Sequence, residues 1–184
     1  MDQMAGDRLE SLSLDEVIEA KRQGQNKIVE VDEAPVKLVI FQLADSFFAL
    51  PGQAVKEVLG PEVRVSFVPG MHAAVEGVIN LRGDIESVLS LNQLLQLPDL
   101  ESAHHERSAI LLCQAAGIST GIRIDCLHDV ADIAPSLLKP APESLPEHLQ
   151  AYVTALLIHN NWTIAVLDLD LLLQAWQELN RAVP

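Results

Sequence analysis

Basic residues are scarce in this chain. Its 184 residues hold 12 Lys+Arg against 26 Asp+Glu, a formal net charge of -14. Phosphate recognition needs concentrated positive charge, so nucleic acid is excluded as a partner, and direct docking on anionic lipid with it. Long apolar runs are also missing. None approaches the ~20 residues a membrane helix requires, and the N-terminus is too polar for a signal peptide, so the chain reads as cytoplasmic. Cysteine is limited to Cys113 and Cys126, both within apolar, strand-like segments. Buried free thiols are the default for that setting, although spacing leaves a disulfide between neighbouring strands open. The nine glycines are dispersed and form no G-x-x-x-x-G-K or G-x-G-x-x-G loop. No H-E-x-x-H, C-x-x-C or G-x-S-x-G pattern occurs, so neither a cofactor, a metal nor a serine nucleophile is expected. His104-His105 falls in a polar stretch, where solvation is the simpler role than metal binding.

What is present is a strand-rich chain with 49% hydrophobic residues, enough for one compact domain or two small ones sharing an interface. Residues 1–34 stand apart, with nine acidic and four basic side chains and a net charge of -5. Leu9, Leu12, Leu14, Val17 and Ile18 could line one face of a short helix ending near Gly24. This extension reads either as a mobile tail with nascent helix, the default for a terminus, or as a docking helix for a partner. From Val36 onward, strands are predicted over 36–44, 47–50, 55–59 and 63–68, separated by Gly and Pro turns. The organising stretch is 76–91. Val78 and Ile79 favour a strand, Arg82-Gly83-Asp84 supplies a turn, and Ile85, Ser87, Leu89 and Leu91 alternate along a returning strand. Asn92 is the expected N-cap of a short helix over 94–97.

The second half repeats the first. After a polar linker over 99–107, strands are predicted over 108–116 and 119–126. Glu57-Val58 falls on Asp129-Val130 at an offset of 72. Val88-Leu89-Ser90-Leu91 falls on Val166-Leu167-Asp168-Leu169, and Leu94-Leu95-Gln96 on Leu172-Leu173-Gln174, at an offset of 78. A duplicated module explains the preserved order of strand, turn, strand and helix. The expectation is an all-β fold with short helices: two small barrels, the first about 36–98 and the second about 107–168, then a helix about 169–181. Leu171, Leu172, Ala175, Trp176 and Leu179 give that helix an apolar stripe, which should pack across the barrel junction with Trp176 as its largest buried contact.

Two constellations carry chemistry. Asp168 and Asp170 resemble a carboxylate pair, yet one ends a strand and the other begins a helix, where Asp170 can cap without catalysis. Glu57 and Arg82 lie on neighbouring predicted strands and can approach. Their pairing is either an ordinary surface ion pair or an arginine held at the rim of an apolar groove for a partner.

Gly77-Val78-Ile79-Asn80-Leu81-Arg82-Gly83 resembles the signature of CheW-type chemotaxis coupling proteins. The likeness continues through Val55-Lys56-Glu57-Val58, Gly121-Ile122-Arg123-Ile124-Asp125, Asp129-Val130 and Lys139-Pro140-Ala141-Pro142-Glu143. On it, residues 35–182 are identified as a CheW-like domain. The resemblance implies two SH3-like five-stranded barrels with a shared apolar interface, and a non-catalytic adaptor in two-component signalling. It implies two partners, the regulatory domain of a CheA-type histidine kinase and the cytoplasmic tip of methyl-accepting chemoreceptors, through which the chain would be recruited to membrane receptor arrays. By matching position it assigns Val55, Glu57, Gly77 and Arg82 to the receptor-facing groove and its support, with Gly77 admitting a close helix and Glu57 steadying Arg82. Asn80, Leu81 and Gly83 shape the same hairpin. The chain departs from the family at Ser87 and Ser90, where many members have proline and aspartate, and at Ala109, where a larger aliphatic residue is usual. Its acidic extension is also longer than a minimal coupling protein carries. These departures leave room for a specialised adaptor or antagonist in a surface-motility or second-messenger pathway that binds only one partner.

Overall fold

The structure, a computed structural model, describes residues 33–98 and 107–181. The helix expected near residues 9–18 and the His104-His105 pair lie outside the described residues. The remainder is mostly β, with two sheets, short helices and one longer C-terminal helix. In chain order the elements are β1 (Val36–Leu43), β2 (Ser46–Pro51), β3 (Val55–Leu59), β4 (Val75–Leu81), β5 (Asp84–Ser90), α1 (Leu91–Leu94), β6 (Ala109–Ala115) and β7 (Ile118–Ile124). They continue with β8 (Cys126–Ile133), β9 (Lys139–Pro140), α2 (Glu147–Gln150), β10 (Val153–His159), β11 (Trp162–Leu167) and α3 (Leu169–Arg181). Among the described residues, no helix is long and apolar enough to cross a membrane.

Two local expectations change. The strand expected over 63–68 is reduced to a single bridge, Ser66 with Val78. Val63 and Val65 instead turn inward and pack on Leu59, Ile79, Val88 and Ile110, so side chains rather than a ladder hold the segment. The short helix also starts earlier than expected. Ser90, not Asn92, occupies the N-cap position, with no side-chain capping bond. Its backbone N–H is already committed to the Ala74 carbonyl at 2.9 Å.

The sheets do not follow the two halves of the chain. One runs β8-β1-β2-β11-β10-β9, the other β3-β6-β7-β5-β4. Each therefore draws on both halves, and the divisions 36–98 and 107–168 are not barrel boundaries. All pairings are antiparallel except β5 with β7 and β2 with β11. The chain leaves the first sheet at Pro51 through a 3-10 turn, Gly52–Ala54, and returns to it after β7.

The reason lies in β1, where Leu38, Val39, Ile40 and Phe41 are all buried. Successive strand residues face opposite sides, so this run needs two apolar surfaces. Leu38 and Ile40 join Ala49, Ile133, Leu157, Ile164 and Val166 inside the curl of the first sheet. Val39 and Phe41 join a larger core fed by both sheets, including Leu89, Leu111, Cys113 and Ile122. Leu169, Leu172, Leu173 and Trp176 of α3 enter that same core, so the helix packs on the shared interface.

Both cysteines are free thiols. Burial on β6 pushes the Cys113 thiol up from 9.0 to about 12. The unfolded chain then sheds this proton from pH 9 while the folded chain keeps it, so stability is lost as pH rises. Comparing denaturation midpoints at rising pH, wild type should lose roughly 1.4 kcal/mol per pH unit more than Cys113→Ala across that window. Parallel slopes would show that the thiol is not confined.

Candidate docking surface

The β4–β5 hairpin closes through the two-residue turn Arg82-Gly83, between the paired residues Leu81 and Asp84. Both turn residues have positive φ, 55° at Arg82 and 101° at Gly83, the mirror-image turn that matches strand twist. A Cβ at Gly83 would meet nothing within 4 Å, so backbone conformation rather than space calls for glycine. The Gly83 N–H donates to Asn80 Oδ1 at 3.0 Å, which fixes the turn.

Arg82 is thereby thrown outward. Its side chain is 75% exposed, and Nη2 donates to Glu57 Oε1 at 2.9 Å. An exposed pair of this kind adds about 0–1 kcal/mol, so it contributes little to holding the fold. The pair also joins β3 to the hairpin that ends β4, the two outer strands of their sheet. Glu57 and Arg82 therefore meet because the sheet curls into a barrel, not because their strands are hydrogen-bonded neighbours. Arg123 of the same sheet is differently placed: Nε and Nη2 both bond the Glu76 carboxylate, and its side chain is only 23% exposed. Arg82, by contrast, makes a single side-chain bond and stays exposed.

The other expected site residues have internal duties. Val55 is half-buried against the shared core, and Leu81 against the interior of its own sheet. Gly77 is buried, and a Cβ there would strike the Ser66 carbonyl oxygen and lie 2.8 Å from Val65 Cγ1. Its glycine serves the packing of segment 63–66 over β4. Apolar residues missed by the sequence reading are exposed on the same elements: Val58 on β3 and Ile85 on β5, with Phe67 and Met71 between β3 and β4. The offset that places Val58 on Val130, likewise exposed, was the available signal.

The CheW-like domain model matches residues 37–177. The chain belongs to the CheW-like family. It is 26% identical over 148 residues to a chemotaxis protein CheW of Bacillus subtilis (strain 168), covering 80% of this chain and 92% of the relative. A chemotaxis protein CheW of Treponema pallidum (strain Nichols) is 24% identical over 141 residues, 76% of this chain and 82% of that one. Among solved structures, the scaffolding protein TtCheW from Thermoanaerobacter tengcongensis superposes with a TM-score of 0.67 at 27% identity, covering 75% and 92% of the two chains. The SH3-like barrels expected from the sequence are thus the fold of this protein.

The second half of the CheW-like domain carries a counterpart of the Glu57–Arg82 rim. Asp129, equivalent to Glu57 at the offset of 72, pairs with His159 Nε2 at 3.3 Å, beside the Asn160-Asn161 turn. That turn lies at the offset of 78 from Arg82-Gly83, again with both residues at positive φ. Both rims fall at the same strand irregularity, between Val55 and Glu57 and opposite Ile40 and Phe41. Neighbouring His128 lies edge-on to Phe47 and Trp162, which stack at 4.7 Å.

Two of the departures from the family, Ser87 and Ala109, lie at internal positions. Ser87 Oγ meets the fully buried Thr120 Oγ1 at 2.8 Å, tying β5 to β7. Ala109 is buried in the shared core. Asp168 rather than Asp170 caps α3, accepting the Leu171 N–H at 3.0 Å. Asp170 Oδ1 accepts the Ala116 N–H at 2.6 Å. Each carboxylate of this supposed pair thus serves a backbone group. Among the described residues, no cluster of three or more His, Cys, Asp or Glu could hold a metal ion.

Proposed function

We propose that this CheW-like chain is a non-catalytic adaptor of a chemotaxis or chemotaxis-like pathway, coupling a chemoreceptor tip to the regulatory domain of a CheA-type histidine kinase. The observation that carries the reading is Arg82, presented outward by its hairpin turn with a single bond to Glu57, while Val58 and Ile85 are exposed on β3 and β5, the strands that carry Glu57 and follow the turn. An amphipathic receptor helix fits such a surface: apolar contacts provide affinity, and an arginine at the edge fixes register through a polar group. Glu57 steadies that arginine, Asn80 and Gly83 set its turn, and Val55, Gly77 and Leu81 support the strands beneath. The chain works in the cytoplasm and reaches the membrane only through its receptor partner. Bringing receptor and kinase together raises their effective concentration and lets receptor state bias the kinase.

The test is a titration of a receptor tip fragment and, separately, a CheA regulatory domain against wild type and Arg82→Ala. Receptor affinity should fall roughly tenfold, about 1.4 kcal/mol, with kinase affinity and thermal unfolding essentially unchanged. A collapse in melting behaviour would make Arg82 a structural residue. Binding of the kinase alone by wild type would favour the antagonist reading.

A further inference from the structure

We propose that the two barrels are interlocked and open only together, because each holds a hairpin supplied by the other half of the chain. The β1–β2 hairpin lies between β8 and β11, and β6–β7 lies between β3 and β5. The exchange is reciprocal down to single residues. Val88 pairs with Gly121 and Val166 with Ala49; the valines are related by the offset of 78 and their small partners by the offset of 72. Both small residues are buried, and a Cβ at Gly121 would fall 3.3 Å from the Ser87 carbonyl oxygen and from Val88 Cγ2 of β5, so β7 is closely seated against its host strand.

Each inserted hairpin is also latched at its tip. The Ala44 N–H donates to Asp125 Oδ2, and the Ala116 N–H to Asp170 Oδ1, both at 2.6 Å. Ala44 and Ala116 are related by the offset of 72, and both have positive φ, 51° and 50°. Asp125 stands where the chain crosses between the sheets, and its own N–H donates to the Gln42 carbonyl. Asp170 stands in the first turn of α3. Neither hairpin can leave its sheet without breaking a charge-assisted bond and exposing its other face in the shared core. Two barrels on a tether would unfold as separate units; exchanged hairpins make one. A displacement at the Glu57–Arg82 rim would then reach the second barrel through β6 and β7, a step that rests on the docking reading above.

Native-state hydrogen exchange of the full chain in rising denaturant tests the interlock without any partner. The slowest amides of the two sheets should merge into a single exchange isotherm. Asp170→Ala should lower their protection by the same factor, roughly tenfold, on β1 and β2 as on β6 and β7. Loss confined to β6, β7 and their neighbours, with the other sheet unchanged, would overturn the proposal. Should the variant fail to fold, the wild-type isotherms decide alone: two that never merge would overturn it.

Discussion

Gly77→Val is expected to unfold much of the protein under conditions where wild type is stable. The new Cβ points at the Ser66 carbonyl, with Val65 Cγ1 at 2.8 Å, and backbone atoms cannot yield as a flexible side chain can. Making room means lifting segment 63–66 off β4 and losing both Ser66–Val78 backbone hydrogen bonds, at 2.8 and 2.9 Å. Overpacking and the lost bridge together should remove roughly 3 kcal/mol or more, a hundredfold or greater shift toward the unfolded state. Chemical denaturation reads this directly, and Gly77→Ala should shift the midpoint in the same direction by less. A Gly77→Val protein of unaltered stability that no longer binds a receptor tip would instead place the glycine against the partner.

Phe41→Ala should be comparably severe. Phe41 is fully buried on β1, its ring 6.3 Å from that of Phe48, inside the core fed by both sheets. Truncating such a ring removes transfer free energy and leaves a cavity, at about 3–5 kcal/mol. Denaturant unfolding measures the loss; a shift below ~1 kcal/mol would mean that the shared core repacks freely.

Local chemistry made much of the fold legible. A strand of alternating character after Arg82-Gly83 could only return as a hairpin, whereas its counterpart turn at Asn160-Asn161 emerged only with the structure. The meeting of Glu57 with Arg82 was also legible, although for the wrong reason, since sheet closure rather than strand pairing brings them together. The exchange of hairpins was not. The run from Leu38 to Phe41 shows that β1 is buried on two sides, but no local pattern says which strands supply those sides. At the α3 start, one acceptable cap two residues from another left the choice to tertiary contacts: Asp168 took the helix and Asp170 the Ala116 turn. Gly77 read as an opening for a partner because a missing side chain looks the same from sequence whether the space beyond it is filled by Ser66 or left free.

The most direct measurement of coupling is a bridging experiment. A receptor tip fragment is immobilised and a CheA regulatory domain is passed over it, with and without this protein. Retention of the kinase domain only when the protein is present, and its loss with Arg82→Ala, is the predicted result. Competition, in which the kinase domain strips the protein from the receptor and is not itself retained, would contradict the adaptor reading.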